Sequence, residues 1–231
     1  MQHLSPPDAS RFADALLALC RQRLRYQPTF AIAELWAASL LKAPPGGLPG
    51  FDPLDAAPML PHIYILEREG DALRYRVSGE SVNELFGSSH TGKLLSEVVP
   101  PGIYSLVAPY FREVFALKAC IFKGHVIHSG HSAAEFERLL LPVRRNETLQ
   151  LLGVLSLSTT SRLRTDDAAP APVENGFHFT QIGLSDGTVT ETHIPLRDLP
   201  VEDLPFKEHV RLLGHREITQ GVSQKGSETV C

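Results

Sequence analysis

Three histidines crowd into the segment GHVIHSGH, at His125, His128 and His131. Imidazole is the commonest protein ligand for metals and holds zinc at about 2.0 to 2.1 Å. The spacing works against a shared ion. On a continuous strand His125 and His131 face one way and His128 the other, so the three converge only if the chain bends, as Gly130 allows. Exposed strand or hairpin histidines are the default, and no metal site is assigned. His62 and His90 are single candidates for haem ligation, but no c-type attachment motif accompanies them, and a lone histidine is more often a surface or hydrogen-bonded residue.

Other chemistry is equally thin. Glu135 and Glu137 flank Phe136 on one strand face, where a solvated face explains them better than paired acid and base work. Ser156, Ser158, Thr159, Thr160 and Ser161 form a hydroxyl-rich stretch without a GxSxG elbow, and neither GxGxxG nor a P-loop pattern occurs. Cys20, Cys120 and Cys231 are far apart, with no CxxC pair, and read as apolar fillers or a terminal thiol. No catalytic residue, metal ligand or cofactor is assigned, and the chain is not read as an enzyme.

The elements that position these residues belong to a chain of 231 residues, 43% hydrophobic and 21% charged, with a net charge of −4. That length supports a sizeable core. The charge lacks the positive field that phosphate backbones attract, which argues against nucleic acid. No run is long enough to span a bilayer. The N-terminus has neither the basic start nor the apolar stretch of a secretory signal, so the expected location is the cytoplasm.

Ser10 is a candidate cap for a helix reaching Leu24, with Phe12, Leu16 and Leu19 on one stripe and Ala13, Leu17 and Cys20 on the next. This helix packs on its own domain or makes a dimer contact. Thr29 is a candidate cap for a second helix, in which Ile32, Leu35, Trp36 and Leu40 share a face before Pro44 and Pro45. From His62 to Glu67 the chain is mostly apolar, with a turn at Glu69, Gly70 and Asp71. Leu73, Tyr75 and Val77 then alternate with Arg74, Arg76 and Ser78, as in a half-buried hairpin strand. A short helix spans Ser81 to Phe86. A long one follows from Ile103 through Val107, Phe111 and Val114 to Leu117, kinked or restarted at Pro109.

Three strands follow, at Ile121–Val126, Ala134–Val143 and Leu149–Thr159. Asn146 suits the turn between the last two, and Leu151 to Leu157, apolar on both faces, predicts a central strand. Asp166–Glu174 reads as a linker. Phe177–Ile182 and Thr188–Ile194 flank Asp186-Gly187, a hairpin signal. Val201–Leu213 suggests a short helix, and Gly221–Cys231 a disordered tail. The expected organisation is a helical extension (1–45), a central domain (46–160), a linker (161–175), a hairpin with a short helix (176–219) and a tail (220–231).

The segments FDPLDAAPMLPHIYILE (Phe51–Glu67), YRVSGESVNELFGSSHTGKLLSEVVPP (Tyr75–Pro101) and FERLLLPV (Phe136–Val143), with Trp36 and its helix, resemble the stand-alone PAS domains common in alphaproteobacteria. The resemblance implies an α+β fold: a five-stranded antiparallel sheet with helices on one face, enclosing a small cavity, here with an N-terminal helical extension and a small C-terminal appendage. It also implies a sensory or regulatory role through a small ligand, a protein partner or self-association as a homodimer. No recognisable output domain is present. Pattern and resemblance together nominate Tyr75, Val77, Asn83, Phe86, Phe111, Phe115 and Arg138 as ligand-binding residues. The alternatives are a ligand-free structural adaptor, whose aromatics simply fill the core, and a metal-dependent enzyme built on the GHVIHSGH histidines.

Overall fold

The computed structural model describes residues 6–44, 47–127, 133–157, 176–195 and 198; among these, the side chains of residues 6–8, 85–86, 125–127 and 133–134 are not placed. The expected linker, the helix at Val201–Leu213, the tail, the stretch Ser158–Ser161, and His128 and His131 lie outside these residues, as does the side chain of His125.

Helix α1 spans Pro6–Arg23 and α2 spans Gln27–Lys42. A 3-10 turn at Ala57–His62 leads into the hairpin of β1 (Ile63–Glu69) and β2 (Ala72–Ser78). Then come α3 (Glu80–Phe86), α4 (Leu95–Val98) and α5 (Pro101–Val114). The chain ends in β3 (Lys118–Ile127), β4 (Ala133–Arg145), β5 (Thr148–Leu157), β6 (Gly176–Gly183) and β7 (Val189–Pro195).

The strands form one sheet in the order β2-β1-β5-β4-β3-β6-β7, with every pair antiparallel. The sheet has seven strands rather than the five expected from the resemblance, because β6 pairs with β3 and carries β7 with it. Strand β5 lies between β1 and β4, which explains its two apolar faces. Its turn to β4 places Asn146 at φ 53°, in the left-handed region that asparagine tolerates. Gly187 does the same for β6–β7 at φ 67°.

The expected helices cover the inner face, and the N-terminal helical extension covers the outer one. On the outer face α1 and α2 pack over Ile63, Ile65, Ile121, Leu139, Leu141 and Val154. Both apolar stripes of α1 contribute to this packing: Phe12, Leu16, Ala13 and Cys20 are buried against their own domain. Phe12 meets Trp36 edge to face, and the Trp36 indole N–H donates to the Pro142 carbonyl at 2.8 Å, pinning α2 to β4.

Neither expected cap lies at a helix start. Ser10 lies inside α1, which starts at Pro6. Thr29 lies inside α2, and its hydroxyl goes to a buried carboxylate instead. On the inner face α3, α4 and α5 cover a second core that includes Tyr64, Leu66, Phe111, Phe122, Phe136 and Leu155. Helix α5 begins at Pro101 and continues through Pro109, whose ring is exposed.

Candidate functional site

Strand alternation sends Phe136, Arg138 and Leu140 of β4 into the inner core, while Leu139, Leu141 and Val143 join the outer one. Arg138 is only 7% exposed, an unusual place for a side chain that stays charged at any accessible pH. Its guanidinium carbon lies 5.7 Å from the Tyr64 ring centroid, 5.6 Å from Phe111, and 5.8 Å from both Phe122 and Phe136. These separations are within the range of cation–π attraction. The ring faces offer negative potential but accept no strong hydrogen bond. Among the described residues, the Arg138 Nε has no hydrogen-bond partner, and no ion pair includes this side chain.

Polar groups gather around it. The buried Tyr64 hydroxyl has no partner in hydrogen-bond geometry among the described residues. Burial drives its pKa above the usual phenol range, while Arg138 beside it pulls it down through its charge and through hydrogen bonding. Tyr75 meets Tyr64 at 5.7 Å between ring centroids and His90 at 5.4 Å. Its hydroxyl is pushed up to about 12, by burial and against Arg138. His90 is 1% exposed, and burial, Lys93 and Arg138 lower its pKa to about 4, so it is neutral at pH 7. The Cys120 thiol, raised by burial, stays protonated. The arrangement is one fixed positive charge and neutral hydroxyl and imidazole groups inside an aromatic shell. Its net positive charge attracts anions.

Of the sequence-nominated residues, Tyr75, Phe111 and Arg138 come together here. Asn83 is adjacent: its Oδ1 accepts from the Ser78 hydroxyl at 2.7 Å and from the His90 backbone N–H at 3.1 Å, which anchors the segment carrying His90. Phe115 packs at the edge of the inner core and is only partly buried. The Phe86 side chain lies outside those described.

Val77 is misplaced in the sequence reading. Ile65 pairs with Val77 but Leu66 pairs with Tyr75, leaving Arg76 as the extra residue of a bulge. The bulge reverses the alternation, so Val77 shares the outer side of the hairpin with Ile65 and is 47% exposed. Tyr64, Phe122 and Phe136 were not among the nominees. Tyr64 is in phase with Leu66 and Phe136 with Arg138, a signal present in the alternation. Phe122 enters only through its pairing with Arg138.

Glycine makes room for one of these rings. Gly153 of β5 lies opposite Tyr64 of β1, and the ring lies across it where any Cβ would overlap. His62 lies at the end of the 3-10 turn, and no group of three His, Cys, Asp or Glu side chains able to hold a metal ion occurs among the described residues. A shallow hollow beside Leu35, Trp36, Phe51 and Asp52 is on the outer face, across the sheet from Arg138.

An antiparallel sheet core of order β2-β1-β5-β4-β3, with short helices and one long helix over its inner face, frames this cluster. The family model described as PAS domain matches residues 25–156, more than half of the chain, and the protein belongs to the PAS domain family. The match takes in α2 and the five core strands but neither α1 nor the β6–β7 hairpin. No curated protein matches the chain. No helix among the described residues is long and apolar enough to cross a membrane.

Proposed function

We propose that this protein is a signalling module that binds a small ligand beside Arg138 and reports occupancy by associating with a protein partner or a second copy of itself. The observation that supports this reading is a guanidinium buried among four aromatic rings with no carboxylate partner among the described residues. Burying a charge costs several kcal/mol unless an opposite charge or hydrogen bonds offset it, and a bound anion would supply that offset. Helix α5 supplies Phe111 to the guanidinium and packs on β3 and β4. A ligand that favours one seating of α5 shifts the population presenting a partner surface.

Native mass spectrometry of the full chain purified from its own cell tests the binding step, with a retained small molecule expected. Hydrogen exchange with and without that molecule tests transmission, and protection is expected to change on α5 and on an exposed surface. A clean apoprotein whose exchange never responds would instead favour the adaptor reading, which has its own support in how completely Phe111, Phe122, Phe136 and Tyr64 are buried.

A further inference from the structure

The chemistry around Arg138 narrows the class of ligand, and this inference rests on the reading that Arg138 marks the site. Among the described residues Arg138 is the one fixed cation facing these rings. His90 is neutral at pH 7, and Lys93 is an exposed side chain that donates to the Ser88 hydroxyl. A phosphate group would bring nearly two negative charges, leaving one uncompensated in an aromatic shell. A planar carboxylate brings one, and its two oxygens match the parallel N–H groups of a guanidinium. The walls are apolar: Phe122 and Phe136 meet edge to face at 5.0 Å, and Phe111 is fully buried. They favour an apolar body over a polar one. The Tyr64 hydroxyl supplies a further donor.

We propose that the ligand is a small monocarboxylic acid with an apolar body, its carboxylate held by the Arg138 guanidinium and its body packed among Phe111, Phe122 and Phe136. Recognition is reversible and involves no covalent step. Glu137, the next residue along β4, faces the opposite core and accepts from Arg25, Tyr26 and Thr29, so it cannot serve as the internal counter-ion.

The test uses the full chain with benzoate and hexanoate as probes and benzamide and inorganic phosphate as controls, read by thermal unfolding and titration calorimetry. At least one acid is expected to raise the unfolding midpoint at millimolar concentration, while the amide and phosphate leave it unchanged. Arg138→Met, checked for folding by circular dichroism, is expected to bind that acid at least about tenfold more weakly. Replacing a buried charge by an apolar side chain is often neutral or stabilising. Arg138→Lys keeps the charge without the fork and should give an intermediate response. If Arg138→Met does not fold, the acid–amide comparison and the lysine variant still decide.

The proposal is overturned if neither acid shifts the wild type, if benzamide or phosphate acts as well as the acids, or if the methionine variant binds as tightly as the wild type. A neutral molecule retained in native mass spectrometry would overturn the carboxylate while leaving the sensor reading standing. A clean apoprotein that ignores every probe would remove both.

Discussion

Glu137 and Arg138 are neighbours in the chain with opposite environments. The Glu137 carboxylate is completely buried yet accepts backbone N–H bonds from Arg25 at 2.7 Å and Tyr26 at 2.8 Å, and the Thr29 hydroxyl at 2.6 Å. It thereby ties the α1–α2 junction to the sheet. Burial pushes its pKa up, opposed by those bonds and by Lys123. Glu137→Ala strands two backbone donors, and about 2 to 5 kcal/mol of stability should be lost; urea unfolding measures it, and an unchanged midpoint would show that water reaches those amides.

His90 gives a pH dependence of definite sign. Its folded pKa of about 4 lies below the ordinary 6.5, so between those values the unfolded chain binds the extra proton. The stability linked to His90 is complete above pH 6.5 and is lost as pH falls toward 4. Wild type should therefore lose more stability than His90→Gln between pH 7 and pH 4.5 in matched urea titrations. Parallel losses would refute the shift.

At the scale of elements, β1 and β2 carry the geometry that alternation alone misreads. The bulge at Arg76 turns Val77 outward, so Val77→Ser should change stability by no more than about 0.5 kcal/mol. A loss comparable to that of a buried valine would contradict the register. Gly153→Ala should be far more severe for its size, because the new methyl group overlaps the Tyr64 ring; overpacking of this kind costs about 1 to 3 kcal/mol. The variant should also perturb the near-ultraviolet circular dichroism of Tyr64, whereas Gly70→Ala, with open space beside it, bears only the backbone cost of its positive φ. Helix α5 was legible from its apolar spacing, but its start was not. Pro109 looks like a boundary in sequence, yet its exposed position lets the helix run past it, with buried Val107, Ala108, Phe111 and Val114 holding both sides in place.

For the whole molecule, the sheet is larger than its family core. Strand β6 pairs with β3 from Lys118 to Lys123, and Phe179 stacks on Phe122 at 4.2 Å and on Tyr110 at 3.6 Å. A chain ending at Ser161 should unfold at lower denaturant and associate with increasing concentration, because the β3 edge and the aromatic cluster are both uncovered. Light scattering and urea unfolding of the truncated chain check this, and a monomer of undiminished stability would refute it.

Local pattern was enough to determine most of the strands, the long helix, the turn residues at Gly70, Asn146 and Gly187, and the PAS likeness itself, because periodicity and turn chemistry depend on residues close in sequence. Only tertiary packing decided that α1 and α2 cover the outer face, that the last hairpin extends the sheet, and that Val77 leaves the core while Tyr64 enters it across Gly153. Apart from the Val77 bulge, which arises within one hairpin, those outcomes depend on pairing between residues far apart in the chain. The setting of Arg138 depends on it too, since a charge looks ordinary in a strand until the fold places it among four rings with no ion pair among the described residues.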